Sequence, residues 1–178
     1  SGHIITGSRD RTIKIWTSEG SLFKNLEGHA HWINTLALSS DYSLRTGAFD
    51  HEGKLKSMDF EDMKKVAFEK YQASLIEGHE VLVSGSDDFT MILWNPLESN
   101  KPIARLTGHQ ALVNHVMFSP NGQFLASASF DKSVKIWNAK TGKFLSSFRG
   151  HVGSVYQIAW SSDSRMICSV SKDSTVKL

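Results

Sequence analysis

Ser129-Phe130-Asp131-Lys132-Ser133-Val134-Lys135-Ile136-Trp137 is one of four copies of a single pattern. The others are Ser8-Arg9-Asp10-Arg11-Thr12-Ile13-Lys14-Ile15-Trp16, Ser86-Asp87-Asp88-Phe89-Thr90-Met91-Ile92-Leu93-Trp94 and Ser171-Lys172-Asp173-Ser174-Thr175-Val176-Lys177-Leu178, the last without the tryptophan. Each copy reads as a turn around an aspartate followed by a short apolar strand, alternating in three of the four. The aspartates are 78, 43 and 42 residues apart along the chain.

A second mark, Gly-His, stands at Gly28-His29, Gly78-His79, Gly108-His109 and Gly150-His151. A period of about 40 to 45 residues with four strands per unit is that of a β-propeller, and self-similarity of this kind decides the architecture. The best-defined unit has a first strand over Leu112–Phe118, a Ser119-Pro120-Asn121-Gly122 turn, a second strand over Phe124–Ser129 and a third over Ser133–Trp137. Lys140-Thr141-Gly142-Lys143 then turns the chain into an outer strand, Lys143–Phe148. The expected class is all-β, without crossover helices.

The spacing of 78 marks an irregular unit. Ile33–Ser39 reads as its first strand, and both Leu44–Phe49 and Val81–Ser86 read as a second. Between them Phe60, Met63, Ala67 and Tyr71 fall on one helical face, which predicts an amphipathic helix over about Asp59–Ser74, capped by Asp59 or Ser57. Acidic residues at its start and lysines further on suit the helix dipole. One blade with an insertion is the preferred reading. Two degenerate blades over 28–108 is the alternative, but Val81 follows Gly78-His79 too closely to leave room for a first strand.

Gly-His, the aspartate turn and the tryptophan strand together resemble the WD-repeat family of β-propellers over nearly the whole chain. The resemblance implies an incomplete propeller of about three and a half four-stranded blades from a ring of eight. Residues 1–27 would be a partial blade, 28–107 a blade with its insertion at about 51–77, 108–149 a further blade and 150–178 a partial one. Both ends cut repeats, so the chain is expected to be a fragment of a longer protein. As an isolated piece it is expected to self-associate, because apolar strand residues such as Ile13, Ile15, Val134 and Ile136 need covering by neighbouring blades.

A Ser, a His and an Asp in every repeat invite a hydrolase reading, yet nucleophilic catalysis needs one set in one cleft with an oxyanion site. Recurrence at the blade period is better explained by each blade satisfying its own buried polar groups. The resemblance implies hydrogen-bonded sets of His29, Ser84 (or Thr46), Asp88 and Trp94; of His109, Ser127, Asp131 and Trp137; of His151, Ser169 and Asp173; and of Thr6, Asp10 and Trp16. It also implies that residues before the turn aspartate and at the start of the first strand share one face. Those partner-binding candidates are Arg9, Trp32, Asn34, Asp87, Leu112, Asn114, Phe130, Tyr156 and Lys172, an aromatic and arginine-containing set of the kind interfaces favour.

Other classes find little support. With 20 Lys+Arg against 18 Asp+Glu the net charge is +2, too small to argue for nucleic acid from electrostatics. His29-Ala30-His31 is the closest pair of metal-ligand type, too few for a site, and no cofactor is expected. Thr141-Gly142-Lys143 lacks the glycine pattern of a phosphate loop. The lone Cys168 cannot form an intrachain disulfide, which favours a reducing compartment. No apolar run is long enough to span a bilayer as a helix; neither a membrane nor a small-molecule substrate is expected.

Several stretches, among them Gly28–Thr35, Leu44–Phe49, Ser84–Thr90, Ser127–Ser133 and Tyr156–Ser161, are similar to one eukaryotic branch of the family beyond its general pattern. That likeness implies a non-catalytic scaffold of the nucleus and nucleolus that docks on pre-ribosomal particles, contacting ribosomal proteins and rRNA, during large-subunit (60S) biogenesis. It implies engagement of the ATPase midasin through a ubiquitin-like domain absent from this chain. An adaptor in signalling (the Notch pathway) or ubiquitin ligation is the alternative.

Overall fold

In the computed structural model, which describes residues 2–50, 52–55 and 59–178, the short alternating segments pair into four antiparallel sheets. The first holds β1 (Ile4–Gly7), β2 (Thr12–Trp16) and β3 (Leu22–Glu27). The second holds β4 (Ile33–Leu38), β5 (Leu82–Ser86), β6 (Met91–Trp94) and β7 (Pro102–Leu106). The third is β8 (Val113–Phe118), β9 (Phe124–Ser129), β10 (Ser133–Asn138) and β11 (Phe144–Arg149). The fourth is β12 (Val155–Trp160), β13 (Ile167–Ser171) and β14 (Val176–Lys177). Within each sheet the strands follow chain order, the meander of a propeller blade. Among the described residues the four sheets do not close a ring.

The core lies between sheets. Ile13, Ile15 and Leu26 of the first sheet pack against Ile33, Leu82, Ile92 and Trp94 of the second. Val83, Met91, Leu93 and Leu106 meet Val113, Val116, Leu125 and Trp137 across the next gap. Ala126, Ala128, Val134 and Ile136 meet Val155 and Ile158 across the last. Strands β5, β6 and β10 are therefore buried almost throughout, which is why Met91-Ile92-Leu93 reads as an unbroken apolar run.

Ile13, Ile15, Val134 and Ile136 are thus buried by neighbouring sheets of this same chain, contrary to the expectation that they would be left bare. Among the sheet residues, the large apolar side chains left open include Ile4, Phe23, Phe148 and Val176 on outer and terminal strands.

Residues 39–81 separate β4 from β5 without disturbing their pairing: Leu38 stands opposite Leu82, and the Ser39 amide donates to the Val81 carbonyl at 2.9 Å. Leu44–Phe49 is not a second strand. Asp41–Thr46 forms a short helix, α1, with Asp41 and Arg45 paired one turn apart at 2.9 Å, and Phe49 makes an isolated bridge to Leu55. A second helix, α2, spans Phe60–Ser74, with the Asp59 side chain accepting from the Glu61 amide as its cap. Ser57, the other proposed cap, lies outside the described residues. The intervening segment therefore begins directly after β4, earlier than 51, and its described residues hold two helices. Phe60 points away from the body and is exposed, while Met63, Ala67 and Tyr71 are half-buried. Gly78-His79 opens no blade: His79 is part-exposed and pairs with Glu98 at 2.9 Å.

Candidate functional site

The polar sets come first, because they fix the turns. In the second sheet His29 Nδ1 lies 2.8 Å from Asp88 Oδ2 and its Nε2 lies 2.7 Å from Ser84 Oγ, to which Trp94 Nε1 donates at 2.9 Å. The third sheet repeats this with His109–Asp131 at 2.7 Å, His109–Ser127 at 2.7 Å and Trp137–Ser127 at 2.9 Å. The indole has a hydrogen only to give, so the serine oxygen accepts it and turns its own hydrogen toward Nε2. The Nδ1 hydrogen is then left for the carboxylate. In the fourth sheet His151 stands 3.0 Å from both Asp173 and Ser169. In the first, Trp16 donates to Thr6 at 2.9 Å, while Asp10 accepts from the Thr12 amide and hydroxyl.

Each aspartate also holds its own turn, accepting from the amide and hydroxyl two residues on, as Asp131 does from Ser133. Burial works against ionisation of Asp88 and Asp131. The bonds from His29 and His109, from Thr90 and Ser133 and from the Ala30 and Gln110 amides outweigh it, holding both carboxyls well below the usual range. For Asp173 the Thr175 hydroxyl leads in the same direction.

Thr46 takes no part in these sets, because α1 turns its hydroxyl onto the Tyr42 carbonyl; Ser84 fills that place. Ser84 and Ser127 are fully buried and already bonded on both sides, so neither is placed to meet a substrate. Both ring nitrogens of His29 are engaged, so His29 has none left for a metal, while His31 Nδ1 lies 3.5 Å from Asp87.

The turns of all four sheets, with the loops entering β4, β8 and β12, lie at one end of the strands: β8 starts opposite Ser129 and ends opposite Leu125. This turn face gathers the candidate residues into pairs. The Arg9 guanidinium lies over the Trp32 ring, 4.5 Å from its centroid. Asn34 donates to Asp87 at 2.6 Å, and Phe130 meets Tyr156 edge-on at 5.5 Å. Leu112 and Lys172 join through backbone alone, the Phe130 amide donating to the Leu112 carbonyl and the Lys172 amide to that of Ser154.

A register shift gives the physical reason for this convergence. Asn34, Asn114 and Tyr156 each occupy the extra position of a bulge, at equivalent points of β4, β8 and β12. A bulge re-aims its side chain. The two asparagines use this to tie sheets together, Asn34 reaching the Val113 carbonyl at 3.1 Å and Asn114 the Tyr156 carbonyl at 2.6 Å. They are inter-sheet ties as much as surface groups. Exposed on this face are Arg9, Trp32, Tyr156 and Lys172, with Phe130 half-buried beside Tyr156.

Sequence reasoning missed two participants. Phe89 is exposed in the turn after Asp88, at a left-handed φ of 68°. Arg105 on β7 donates to Thr90 and to the Gly28 carbonyl beside Asp88, locking the turn from outside. No local sequence signal marks Arg105, since its partners lie on other strands.

Sheets in chain-order meander, side by side, each braced by an Asp–His–Ser/Thr–Trp set or part of one, define a β-propeller of the WD type. The chain belongs to this family: the WD domain, G-beta repeat matches residues 1–17, 100–138 and 142–178. The unmatched stretch contains the insertion that stretches the second repeat. The chain is 55% identical over 133 residues to "Ribosome assembly protein 4" of Saccharomyces cerevisiae, covering 74% of this chain and 26% of that protein. It is 59% identical over 105 residues to "Notchless protein homolog" of Arabidopsis thaliana (59% of this chain, 22% of the relative). It is 49% identical over 126 residues to "Protein Notchless" of Drosophila melanogaster (68% and 26%). The matched stretch spans about a quarter of each relative's length.

Proposed function

We propose that this chain is part of a non-catalytic WD-repeat scaffold that assembles the large ribosomal subunit and docks on pre-ribosomal particles through its turn face. The observation that carries the docking role is the paired Arg9–Trp32 and Phe130–Tyr156 contacts on that face. They hold large aromatic surfaces in fixed orientations at little further entropic cost, as interface anchors do. The names of the yeast, plant and fly relatives support ribosome assembly as the setting. Nucleolar and nuclear residence, contact with ribosomal proteins and rRNA, and engagement of midasin by a ubiquitin-like domain outside this chain follow from the same reading. The sets around Asp88, Asp131 and Asp173 serve to hold turns.

A second reading, an adaptor in Notch signalling, takes its support from the name of the fly relative. Sucrose-gradient sedimentation separates the two. The intact protein should travel with pre-60S particles, and Trp32→Ala with Tyr156→Ala should move it toward the top of the gradient. An intact protein that stays at the top refutes the assembly role.

A further inference from the structure

Of the seven asparagines in the chain, Asn121 alone is followed by glycine; the other six precede Leu26, Thr35, Pro96, Lys101, His115 and Ala139. Asn121 is exposed, in the Ser119-Pro120-Asn121-Gly122 turn that joins β8 to β9 at the opposite end of the strands from the turn face. An asparagine carboxamide is an electrophile that the next backbone nitrogen can reach through a five-membered ring. Glycine puts no side chain in the way of that approach.

The turn prepares the carboxamide. Asn121 Oδ1 accepts from the Ser119 hydroxyl at 2.7 Å and from the Gln123 amide at 3.1 Å. Two donors on that oxygen draw electrons from Cγ and stabilise the negative charge it gains under attack. The Gly122 amide is committed to the Ser119 carbonyl at 2.8 Å, so attack follows a brief opening of that bond. An exposed turn at a strand end opens at low cost.

The neighbouring sheet already holds the product. Ser161-Ser162-Asp163-Ser164-Arg165, between β12 and β13, repeats the turn with an aspartate in the place of Asn121. Asp163 Oδ1 accepts from the Ser161 hydroxyl at 2.5 Å and from the Arg165 amide at 3.1 Å, and Ser164 takes a left-handed φ of 62° where Gly122 has 70°. Those two donors hold the Asp163 carboxyl below the usual range. A carboxylate in the first turn would find the same bonds waiting in Ser119 and Gln123.

We infer that Asn121 is a site of spontaneous deamidation, and that the turn retains the α-aspartyl product as it holds Asp163. The Gly122 nitrogen gives its proton to hydroxide and bonds to Asn121 Cγ. The Cγ–Nδ2 bond breaks, and the nitrogen leaves as ammonia with a proton from water. Water then opens the imide ring at Cγ, restoring the Gly122 amide and leaving a carboxylate. In sum, amide and water become carboxylate and ammonium. Opening at the other carbonyl gives isoaspartate, whose extra backbone carbon the turn cannot hold. The change is one-way, since ammonia escapes. It adds a negative charge beside Asp163, where the Asn121 amide already joins the two turns through Ser164 Oγ at 3.0 Å. This end of the protein becomes more acidic with age, independently of docking at the turn face.

The intact protein is incubated at pH 8.5 and 37 °C, digested with trypsin and read by tandem mass spectrometry against a sample digested without incubation. Cleavage after Arg105 and Lys132 leaves Asn114 and Asn121 on one peptide, so Asn114, followed by histidine, is an internal reference. Conversion at Asn121 should outpace that at Asn114 by at least about tenfold, as an unhindered intramolecular nucleophile predicts. Conversion no faster than at Asn114, or confined to urea-unfolded protein, would show that the turn protects the residue and would overturn the site. Asn121→Asp should melt with the unaltered protein; a lower melting temperature would overturn the retained product.

Discussion

His29 reaches Asp88 at 2.8 Å across 59 positions of sequence, and His109 reaches Asp131 at 2.7 Å across 22. The same bond is made with and without an inserted pair of helices. The insertion must therefore leave and re-enter the sheet at adjacent points, as the Leu38–Leu82 pairing shows. Replacing residues 40–80 of the intact protein by a four-residue Gly/Asn turn should keep a cooperative melt and a β-type far-UV spectrum, because loop-closure entropy depends weakly on length. Loss of cooperativity would mean that α1 and α2 brace the ring.

Asp131 and Asp10 test what a complete set contributes. Asp131 accepts from His109, from the Gln110 and Ser133 amides and from the Ser133 hydroxyl; the exposed Asp10 accepts from Thr12 and the Ser8 turn stands beside it. Asp131→Ala strands a buried imidazole N–H and should cost about 1–3 kcal/mol. Asp10→Ala at the surface should cost clearly less. Urea unfolding measures both. Equal losses would show that histidine adds nothing to the turn.

How the chain folds was legible where a local rule repeats. The aspartate turn, the following strand and the histidine recur in fixed register, and the structure joins them at near-identical distances in two sheets. Leu44–Phe49 was misread because a short apolar run with a glycine carries no period of its own; the Asp41–Arg45 pair and the packing of Ser43 on Ser74 decide it as helix. The roles of Asn34 and Asn114 were half legible. Their face follows from position, but the bulge that lets them reach the next sheet's backbone is a property of paired strands. Arg105 was invisible for a like reason, since what it holds is 15 to 77 residues away.

Acid should loosen the turns before it affects the apolar core. Asp88 and Asp131 bind their protons less tightly folded than unfolded, so they stabilise the fold fully above the unfolded carboxylate value of about 3.9. That contribution fades as pH falls below it toward the folded values. The melting temperature of the intact protein should drop steeply below about pH 4, and Asp88→Asn with Asp131→Asn should flatten the drop. Melting curves from pH 2.5 to 6 decide it; parallel curves would exclude these carboxyls as the cause.

Each of the four aspartate turns places a non-glycine residue at left-handed φ: Arg11, Phe89, Lys132 and Ser174. Such a residue costs about 1–2 kcal/mol, and a glycine there gives back about 0.5–1 through its freer unfolded chain. Lys132→Gly should therefore stabilise by about 0.5–1 kcal/mol, and Lys132→Val should destabilise. Urea midpoints in the two opposite directions are the expected result; a destabilised Lys132→Gly would mean that the lysine side chain makes a contact worth more than the strain.

Gly85 tests how closely blades approach. A Cβ built there would lie 2.8 Å from both Thr35 Cγ2 and Val113 Cγ1 and 3.2 Å from Val116 Cγ1. All three neighbours are β-branched, so they have little rotamer freedom with which to yield. Two belong to the adjacent sheet, and the corresponding position before the turn serine in the third sheet, Ala128, tolerates a methyl against Val155 and Ile158. Gly85→Ala should therefore push the second and third sheets apart at the level of β8 and cost about 1–3 kcal/mol. The pairing Val113→Ala on that background removes one clashing methyl and should recover part of the loss, a coupling readable in a double-mutant cycle. Strict additivity of the two substitutions would show that the sheets already have slack at this point and that glycine is not what sets their spacing.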